Sequence, residues 1–229
     1  MTAYFITGTG TDIGKTFVAA HVIRALKQRG QKVRALKPVA SGYDPKTAAE
    51  SDPGVLLAAM GEAVTEDNVA RIAPWRFAAP LSPDMAAARE KRSIDFPELI
   101  AYSRKAIAEH EGTLLIENVG GIMVPLGVPR TTMDWMLTLN IPVVLVTGSY
   151  LGTLSHTLSA IDAILRRNLQ IAAVVLNESA ESTVDLGETA ATLQSYMATS
   201  PASTAPLVTV KRGADEKAFE VLANVLSAK

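Results

Sequence analysis

The chain has 229 residues, of which 48% are hydrophobic and 5% aromatic, and its 22 lysines and arginines nearly balance its 23 aspartates and glutamates. The apolar share suffices for one sizeable core, and the balanced charge argues against a nucleic-acid partner, which would need clustered basic residues. The absence of cysteine excludes disulfides, zinc–thiolate sites, iron–sulfur clusters and thiol catalysis.

The N-terminal segment carries no basic region and no cleavage site of the kind that directs secretion, so we expect a cytoplasmic location. One uncharged stretch, between Asp134 and Asp162, is long enough to be mistaken for a membrane span. It contains Pro142, Gly148 and Gly152, among other breakers and polar residues. A lipid-facing helix of about 20 residues would not accept them, so we expect no membrane partner.

Short apolar runs alternate with longer helical patterns along the chain. The predicted strands are Ala3–Thr7, Val33–Leu36, Leu114–Glu117, Val143–Thr147, Ile171–Leu176 and Leu207–Val210. The predicted helices are Lys15–Arg29, Asp95–Glu111, Thr131–Leu139, Leu151–Arg167, Asp185–Met197 and Asp215–Ser227. Most of the strands are apolar at consecutive positions, which is typical of strands covered on both faces. The alternation predicts a single α/β domain over residues 1–229, with a doubly wound, mostly parallel sheet and helices on both faces. Ligands bind beyond the carboxyl ends of the strands in such sheets.

The first strand ends in a glycine-rich segment that opens a helix, Gly8-Thr9-Gly10-Thr11-Asp12-Ile13-Gly14-Lys15-Thr16. Backbone N–H groups of such a turn converge on phosphate oxygens, and the helix N-terminus adds positive potential. Lys15 can reach the β- and γ-phosphates of a nucleotide, and Thr16 can place its hydroxyl on magnesium. The loop is one residue longer than the common P-loop pattern. A glycine-rich turn without a ligand is the alternative, but Gly-Lys-Thr after a strand favours a phosphate site.

The second strand ends in Lys37-Pro38-Val39-Ala40-Ser41-Gly42, beside the glycine-rich loop in a parallel sheet. A lysine there can stabilise charge in a transition state, although a solvated strand-end lysine is equally consistent with the pattern. Farther on, Ser51-Asp52-Pro53-Gly54 precedes an apolar helical run. The pattern favours Asp52 as a helix N-cap with Pro53 at the first helical position, and a magnesium carboxylate is the alternative.

Two further strands end in segments whose residues could bind a metal or a substrate. Glu117 closes the third strand and is followed by Asn118-Val119-Gly120-Gly121, which resembles a Walker B element whose carboxylate holds magnesium. A strand-end acid meeting solvent is the alternative. The fourth strand runs into Thr147-Gly148-Ser149-Tyr150-Leu151-Gly152-Thr153-Leu154-Ser155-His156. The free N–H groups of this turn could bind a carboxylate, or the turn could be an ordinary tight connection.

Together, these segments resemble the signatures of dethiobiotin synthetases, the ATP-dependent cyclo-ligases of biotin biosynthesis. The family's P-loop has the same spacing, and the segments at Lys37, Asp52 and Glu117 are similar to its further motifs. The family pattern is also matched by Asp134-Trp135 and by Leu151-Gly152 with His156. The resemblance ends near Asn177. Two features depart from the family pattern. Asn118 stands where glycine is usual, which the turn should survive because asparagine tolerates a positive φ, and Leu207–Gly213 lacks the proline of the adenine pocket.

The resemblance implies a specific reaction. 7,8-Diaminopelargonic acid takes up CO2 as a carbamate, the carbamate oxygen attacks the γ-phosphate of ATP, and the neighbouring amine closes the ureido ring and releases phosphate. It implies catalytic roles for Lys37, Lys15 and Thr11; ATP contacts from Asp12, Ile13, Gly14, Lys15, Thr16, Phe17, Asp52, Glu117, Asn118, Val119, Gly120 and Asn177; magnesium ligands Thr16, Asp52 and Glu117; and substrate contacts from Ser41, Thr11, Leu151, Gly152 and Ser155. On this resemblance, Asp52 is expected to be a magnesium ligand and not the N-cap of a helix. A homodimer is also implied, with the substrate tail near the partner subunit.

Two other kinds of protein carry the same loop. Partitioning-type switch ATPases usually have a lysine five residues before the Gly-Lys-Thr lysine, where this chain has Gly10. A small-molecule kinase stays open, because phosphoryl transfer needs the same loop.

Overall fold

A computed structural model describes residues 2–180, 182–213 and 216–227. Its strands are β1 Thr2–Gly8, β2 Val33–Leu36, β3 Val39–Ser41, β4 Trp75–Phe77, β5 Thr113–Glu117, β6 Pro125–Gly127, β7 Arg130–Thr131, β8 Val143–Gly148, β9 Ile171–Asn177 and β10 Leu207–Val210. Six of them form one parallel sheet in the order β10-β9-β8-β1-β5-β2. The pairs β3-β4 and β6-β7 form two small separate sheets. Each of the six predicted strands lies within a strand of the large sheet, so the predicted fold class is confirmed.

The helices are α1 Lys15–Gln28, α2 Asp52–Met60, α3 Glu66–Ile72, α4 Pro83–Arg89, α5 Phe96–Glu109, α6 Thr132–Leu139, α7 Thr153–Leu165, α8 Leu186–Ala198 and α9 Glu216–Leu226. Several begin one residue later than predicted because the predicted first residue is the cap. Asp95 Oδ1 accepts from Glu98 N (2.9 Å), and Asp185 Oδ1 accepts from Glu188 N (2.8 Å). Asp215, the predicted start of the last helix, lies outside the described residues.

Helices cover both faces of the large sheet: α1 packs against α2 and α9, and α5 packs against α6. Phe5 of β1 and Trp135 of α6 are both fully buried and meet edge to face, with ring centroids 5.0 Å apart. Trp135 also donates its indole N–H to Ser103 Oγ at 3.2 Å. Among the described residues, no helix combines the length and hydropathy that crossing a bilayer would require.

The parallel arrangement brings the chemically distinctive strand ends to one edge. β1 lies between β5 and β8, with Ile6 opposite Glu117 and Gly8 opposite Val146. The glycine-rich loop after β1 is therefore flanked by the end of β5 on one side and the end of β8 on the other. Lys37 follows β2, one strand beyond β5.

Candidate active site

The glycine-rich loop has an unusual backbone that its neighbours support. Asp12 and Gly14 adopt left-handed conformations, with φ of 57° and 90°. A Cβ on Gly14 would lie 2.2 Å from Asn177 Nδ2, a group that donates to the Ile13 carbonyl at 3.0 Å. Glycine is therefore required at position 14 by both backbone conformation and space. Lys15 is buried at the start of α1, and its Nζ donates to the Gly10 carbonyl at 3.0 Å.

Beside the loop, one buried lysine joins the predicted carboxylates. Lys37 is only 2% exposed. Its Nζ donates to Glu117 Oε1 (2.6 Å) and to the Asn118 carbonyl (2.9 Å), and lies 2.8 Å from Asp52 Oδ2. The hydroxyl of Thr16 donates to the same Glu117 Oε1 at 2.6 Å. Two residues predicted to hold a magnesium ion, Asp52 and Glu117, thus contact one cation of the protein, and the third, Thr16, is hydrogen-bonded to Glu117.

The charges of this cluster set the protonation of its two lysines differently. Burial, and then the charge of Lys37, lowers the pKa of Lys15 to about 8. Burial also acts to lower the pKa of Lys37, but Glu117 and Asp52 outweigh it and the pKa is raised. For Asp52 burial acts to raise the pKa, yet Lys37 outweighs it and the pKa is lowered. Lys37 is therefore firmly cationic, whereas Lys15 titrates near the upper end of the physiological range.

The donor set fits a magnesium ion. Glu117 is 1% exposed, and its Oε2 is buried without any hydrogen-bond partner in the described structure. Such an orphaned carboxylate oxygen next to a hydroxyl and a second carboxylate offers hard oxygen ligands, which Mg²⁺ prefers. Mg²⁺ commonly uses only one or two carboxylates, with waters and substrate phosphates completing its shell. Thr16, Asp52 and Glu117 together supply one hydroxyl and two carboxylates, which are donors of this kind.

A cleft of about 970 Å³ opens over this cluster. The predicted site residues that line it are Thr11, Asp12, Gly14, Lys15, Thr16, Phe17, Lys37, Ser41, Asp52, Glu117, Val119 and Gly120. Another part of the cleft wall includes Gly42, Tyr43 and the segment from Pro80 to Pro83, and the sequence pattern marked only Gly42 among them. The only sequence signal there is the turn chemistry of Pro-Leu-Ser-Pro, which carries no charge. Gly42 N donates to the Ala79 carbonyl at 3.1 Å, and this bond holds the wall together.

The other predicted site residues lie outside the lining of this cleft. Ile13 is buried and packs directly against Gly8: a Cβ on Gly8 would lie 2.2 Å from Ile13 Cδ1. Asn118 is fully buried, and Asn177 is directed at the loop backbone. Leu151, Gly152 and Ser155 are exposed at the start of α7, beyond β8.

One interpretation from the residue pattern is wrong, and the reason given for another does not hold. The N-cap of α2 is Ser51, whose Oγ accepts from Gly54 N at 3.3 Å, and Asp52 occupies the first helical position with its carboxylate on Lys37. The turn does accept asparagine at position 118, but not because Asn118 adopts a positive φ. The left-handed residue of that turn is Gly120, with φ of 61°, while Asn118 Nδ2 donates to the Gly121 carbonyl at 3.1 Å.

Comparisons with known proteins identify the family of this chain. A family model described as an AAA domain matches residues 2–209. The ATP-dependent dethiobiotin synthetase BioD of Acidiphilium cryptum is 49% identical over 202 residues, covering 88% of this chain and 91% of that protein. The chain belongs to the dethiobiotin synthetase family. Its relative of the same name from Caulobacter sp. is 46% identical over 207 residues, covering 90% of this chain and 88% of that protein.

Two solved structures share the architecture of this chain. The cell division ATPase MinD of Pyrococcus furiosus has a TM-score of 0.52 at 17% identity, with 98% of each chain covered. A ParA family ATPase from Chlorobium tepidum has a TM-score of 0.54 at 13% identity, covering 99% of this chain and 90% of that one. At such low identity the likeness concerns the P-loop NTPase fold alone.

Proposed function

We propose that this chain, folded as one domain, is an ATP-dependent dethiobiotin synthetase. It would convert 7,8-diaminopelargonic acid, CO2 and ATP into dethiobiotin, ADP and phosphate, forming C–N bonds. Membership of the family supports this activity. The observation that carries the mechanism is Lys37, buried at a strand end between Glu117 and Asp52 and beside the phosphate loop.

The proposed mechanism divides the positive charge between two lysines. Lys15, in the loop, contacts the phosphates of ATP before any chemistry begins. Lys37 lies where the carbamate oxygen and the γ-phosphate meet, so it gains most as negative charge builds between them. The P–O bond to ADP breaks as the carbamate–phosphate bond forms. The second amine then attacks the carbamoyl carbon, loses its proton and expels phosphate.

We propose that Thr16, Asp52 and Glu117 hold one magnesium ion. When bound, the ion would neutralise charge on the β- and γ-phosphates. Lys37 contacts both carboxylates and the Asn118 carbonyl, and these three contacts keep the site assembled. The Oε2 atom of Glu117 is buried and has no hydrogen-bond partner among the described residues, and it is the oxygen that would bind the metal.

The charges of the cleft also bear on substrate orientation. Its lining contains Lys15 and Lys37, both engaged with phosphate and metal ligands in this proposal, and no arginine among the residues that the structure describes. Thr11 and Ser41 would therefore orient the diamine or carbamate end. The distant carboxylate of the substrate would bind N–H groups at Leu151, Gly152 and Ser155 of a partner subunit in a homodimer. We also propose a cytoplasmic location, consistent with a biosynthetic role.

The proposed activity can be tested by measuring ADP release from Mg-ATP with and without diaminopelargonic acid and bicarbonate. We expect release that requires both compounds, together with dethiobiotin identified by mass spectrometry. A switch ATPase would ignore both compounds, and a kinase acting on the diamine would give a phosphorylated product without needing bicarbonate. Either result would contradict the proposal.

A further inference from the structure

Behind the phosphate loop lies a cluster of four threonines that the mechanism does not use. We call Thr9, Thr147, Thr153 and Thr157 the hydroxyl cluster. Thr147 Oγ1 lies 3.1 Å from Thr9 Oγ1, 2.9 Å from Thr153 Oγ1 and 2.8 Å from Thr157 Oγ1. Thr147 and Thr157 are fully buried, and Thr153 is 2% exposed. Since water does not reach these three side chains, their hydroxyls depend on one another and on nearby backbone carbonyls for hydrogen bonds.

The number of hydroxyl hydrogens determines which threonine donates and which accepts in each contact of the cluster. Each hydroxyl has a single hydrogen and can accept two further hydrogen bonds. Thr153 Oγ1 donates to the Gly148 carbonyl, which cannot donate in return. The Thr147–Thr153 contact must therefore use the proton of Thr147, so Thr9 and Thr157 both donate to Thr147. Thr147 then has one donated and two accepted bonds, its full capacity.

This direction limits what Thr9 can do in the loop. Thr9 follows β1 and is anchored by its own N–H, which donates to the Val146 carbonyl at 3.0 Å. With its hydroxyl proton directed at Thr147, it presents only lone pairs toward any phosphate. Phosphate binding by this part of the loop must then rely on backbone N–H groups, whose placement depends on the loop's shape.

We propose that Thr147 is a positioning residue for the phosphate loop, acting through Thr9 and linking the loop to the first turn of α7 through Thr153. The inference rests on the proposed binding of ATP to this loop. Thr147 itself touches no substrate. Its hydroxyl fixes the side chain of Thr9 on one side and that of Thr153 on the other, so the end of β8 holds the loop in its binding shape.

The test compares Thr147→Val, which keeps the shape and removes the hydroxyl, with Thr147→Ser, which keeps the hydroxyl. Thr113→Val is the matched control, because Thr113 is also a buried strand threonine and donates to the Leu226 carbonyl at the opposite end of the sheet. Calorimetry should show ATP binding weakened about tenfold in Thr147→Val and restored in Thr147→Ser. Thr113→Val should lower the melting temperature without changing the affinity for ATP. The KM for ATP should rise in Thr147→Val while kcat at saturating ATP stays nearly constant.

A double-mutant cycle tests whether Thr147 acts on ATP binding through Thr9. If Thr147 acts through Thr9, then Thr9→Val and Thr147→Val together should weaken ATP binding no more than either change alone. Full additivity would overturn the inference, and so would unchanged ATP affinity in a folded Thr147→Val. Should Thr147→Val fail to fold, Thr9→Val and Thr9→Ser decide the matter, because only Thr9→Val should weaken binding. A wild-type chain that bound no ATP would instead defeat the proposed function itself.

Discussion

The two sides of the phosphate loop are built on different chemistry. Toward β5 and β2 the neighbours are ionic: Lys37 is held by Glu117 and Asp52 at 2.6 and 2.8 Å. Toward β8 the neighbours are neutral hydroxyls, centred on Thr147. The ionic side offers strong, charge-dependent interactions to a phosphoryl group and a metal. The hydroxyl side offers fixed geometry and little charge.

This difference predicts how each side responds to substitution. A buried charge whose partner is removed becomes very unfavourable, so changes on the ionic side should have large effects. A lost neutral hydrogen bond has a smaller effect. Variants on the ionic side should therefore lower turnover or metal affinity by about 10- to 1000-fold, and variants on the β8 side should alter affinities by about tenfold or less.

The largest effect is expected for Lys37→Ala. Removing a preorganised donor of transition-state charge typically lowers kcat by about 10²–10³-fold, and we expect a loss of this size with ATP affinity nearly intact. Lys15→Ala should weaken both ATP binding and turnover. The measurements are ATP titration by calorimetry and turnover at saturating ATP for both variants.

The two lysines exchange roles under the opposite outcome. If Lys37→Ala lost ATP binding but kept its kcat at saturating ATP, Lys37 would be a nucleotide anchor. Circular dichroism should accompany the assay, because the substitution leaves Glu117 without its buried partner and could unfold the site.

Asp52→Asn should change the requirement for metal. The amide keeps the size of the side chain and removes its charge, so we expect the Mg²⁺ concentration for half-maximal turnover to rise on the order of 10- to 100-fold. Ser51→Ala is the matched control, since it removes the actual N-cap of α2 and should affect stability alone. An unchanged magnesium titration in Asp52→Asn would assign Asp52 to ion pairing with Lys37 only.

ATP affinity should also depend on pH through Lys15. Its pKa in the free enzyme is about 8, and bound phosphate would raise it. Affinity should therefore be constant below pH 8 and fall above it, reaching about a tenfold loss between pH 7 and pH 9. Calorimetry in buffers of different ionisation enthalpy should detect proton uptake on binding at pH 9. Lys15→Arg should have a flat profile over this range, because arginine stays protonated; an equally steep profile would exclude Lys15 as the titrating group.

Sequence reasoning was strongest where burial and charge leave a pattern. The strands of the large sheet are apolar at consecutive positions, and Lys37 and Glu117 stand at the ends of two of them, so the sheet and the nearness of these two residues could be predicted. Asp52 lies at the start of α2, and only the family resemblance placed it beside them. The small sheets, α3 and α4 are short and carry no clear periodicity. The cleft wall at Tyr43 and at Pro80 to Pro83 is brought to the site by tertiary packing alone. The hydroxyl cluster gave no signal either, because threonine is common in strands and at helix starts.

The smallest expected effect concerns the start of α7, where the substrate carboxylate is proposed to bind. Ser155 is the third residue of this helix and is exposed. Because backbone N–H groups are the proposed ligands, Ser155→Ala should leave the KM for the diamine nearly unchanged. Ser155→Asp places a competing carboxylate at the same helix end, an interaction of about 0.3–1 kcal/mol, and should raise that KM by about two- to fivefold. An aspartate at this position stabilises a helix, so a higher KM with equal or better thermal stability could not be attributed to unfolding. The KM for ATP should be unaffected, and a diamine KM identical to that of the wild type in Ser155→Asp would place the carboxylate elsewhere.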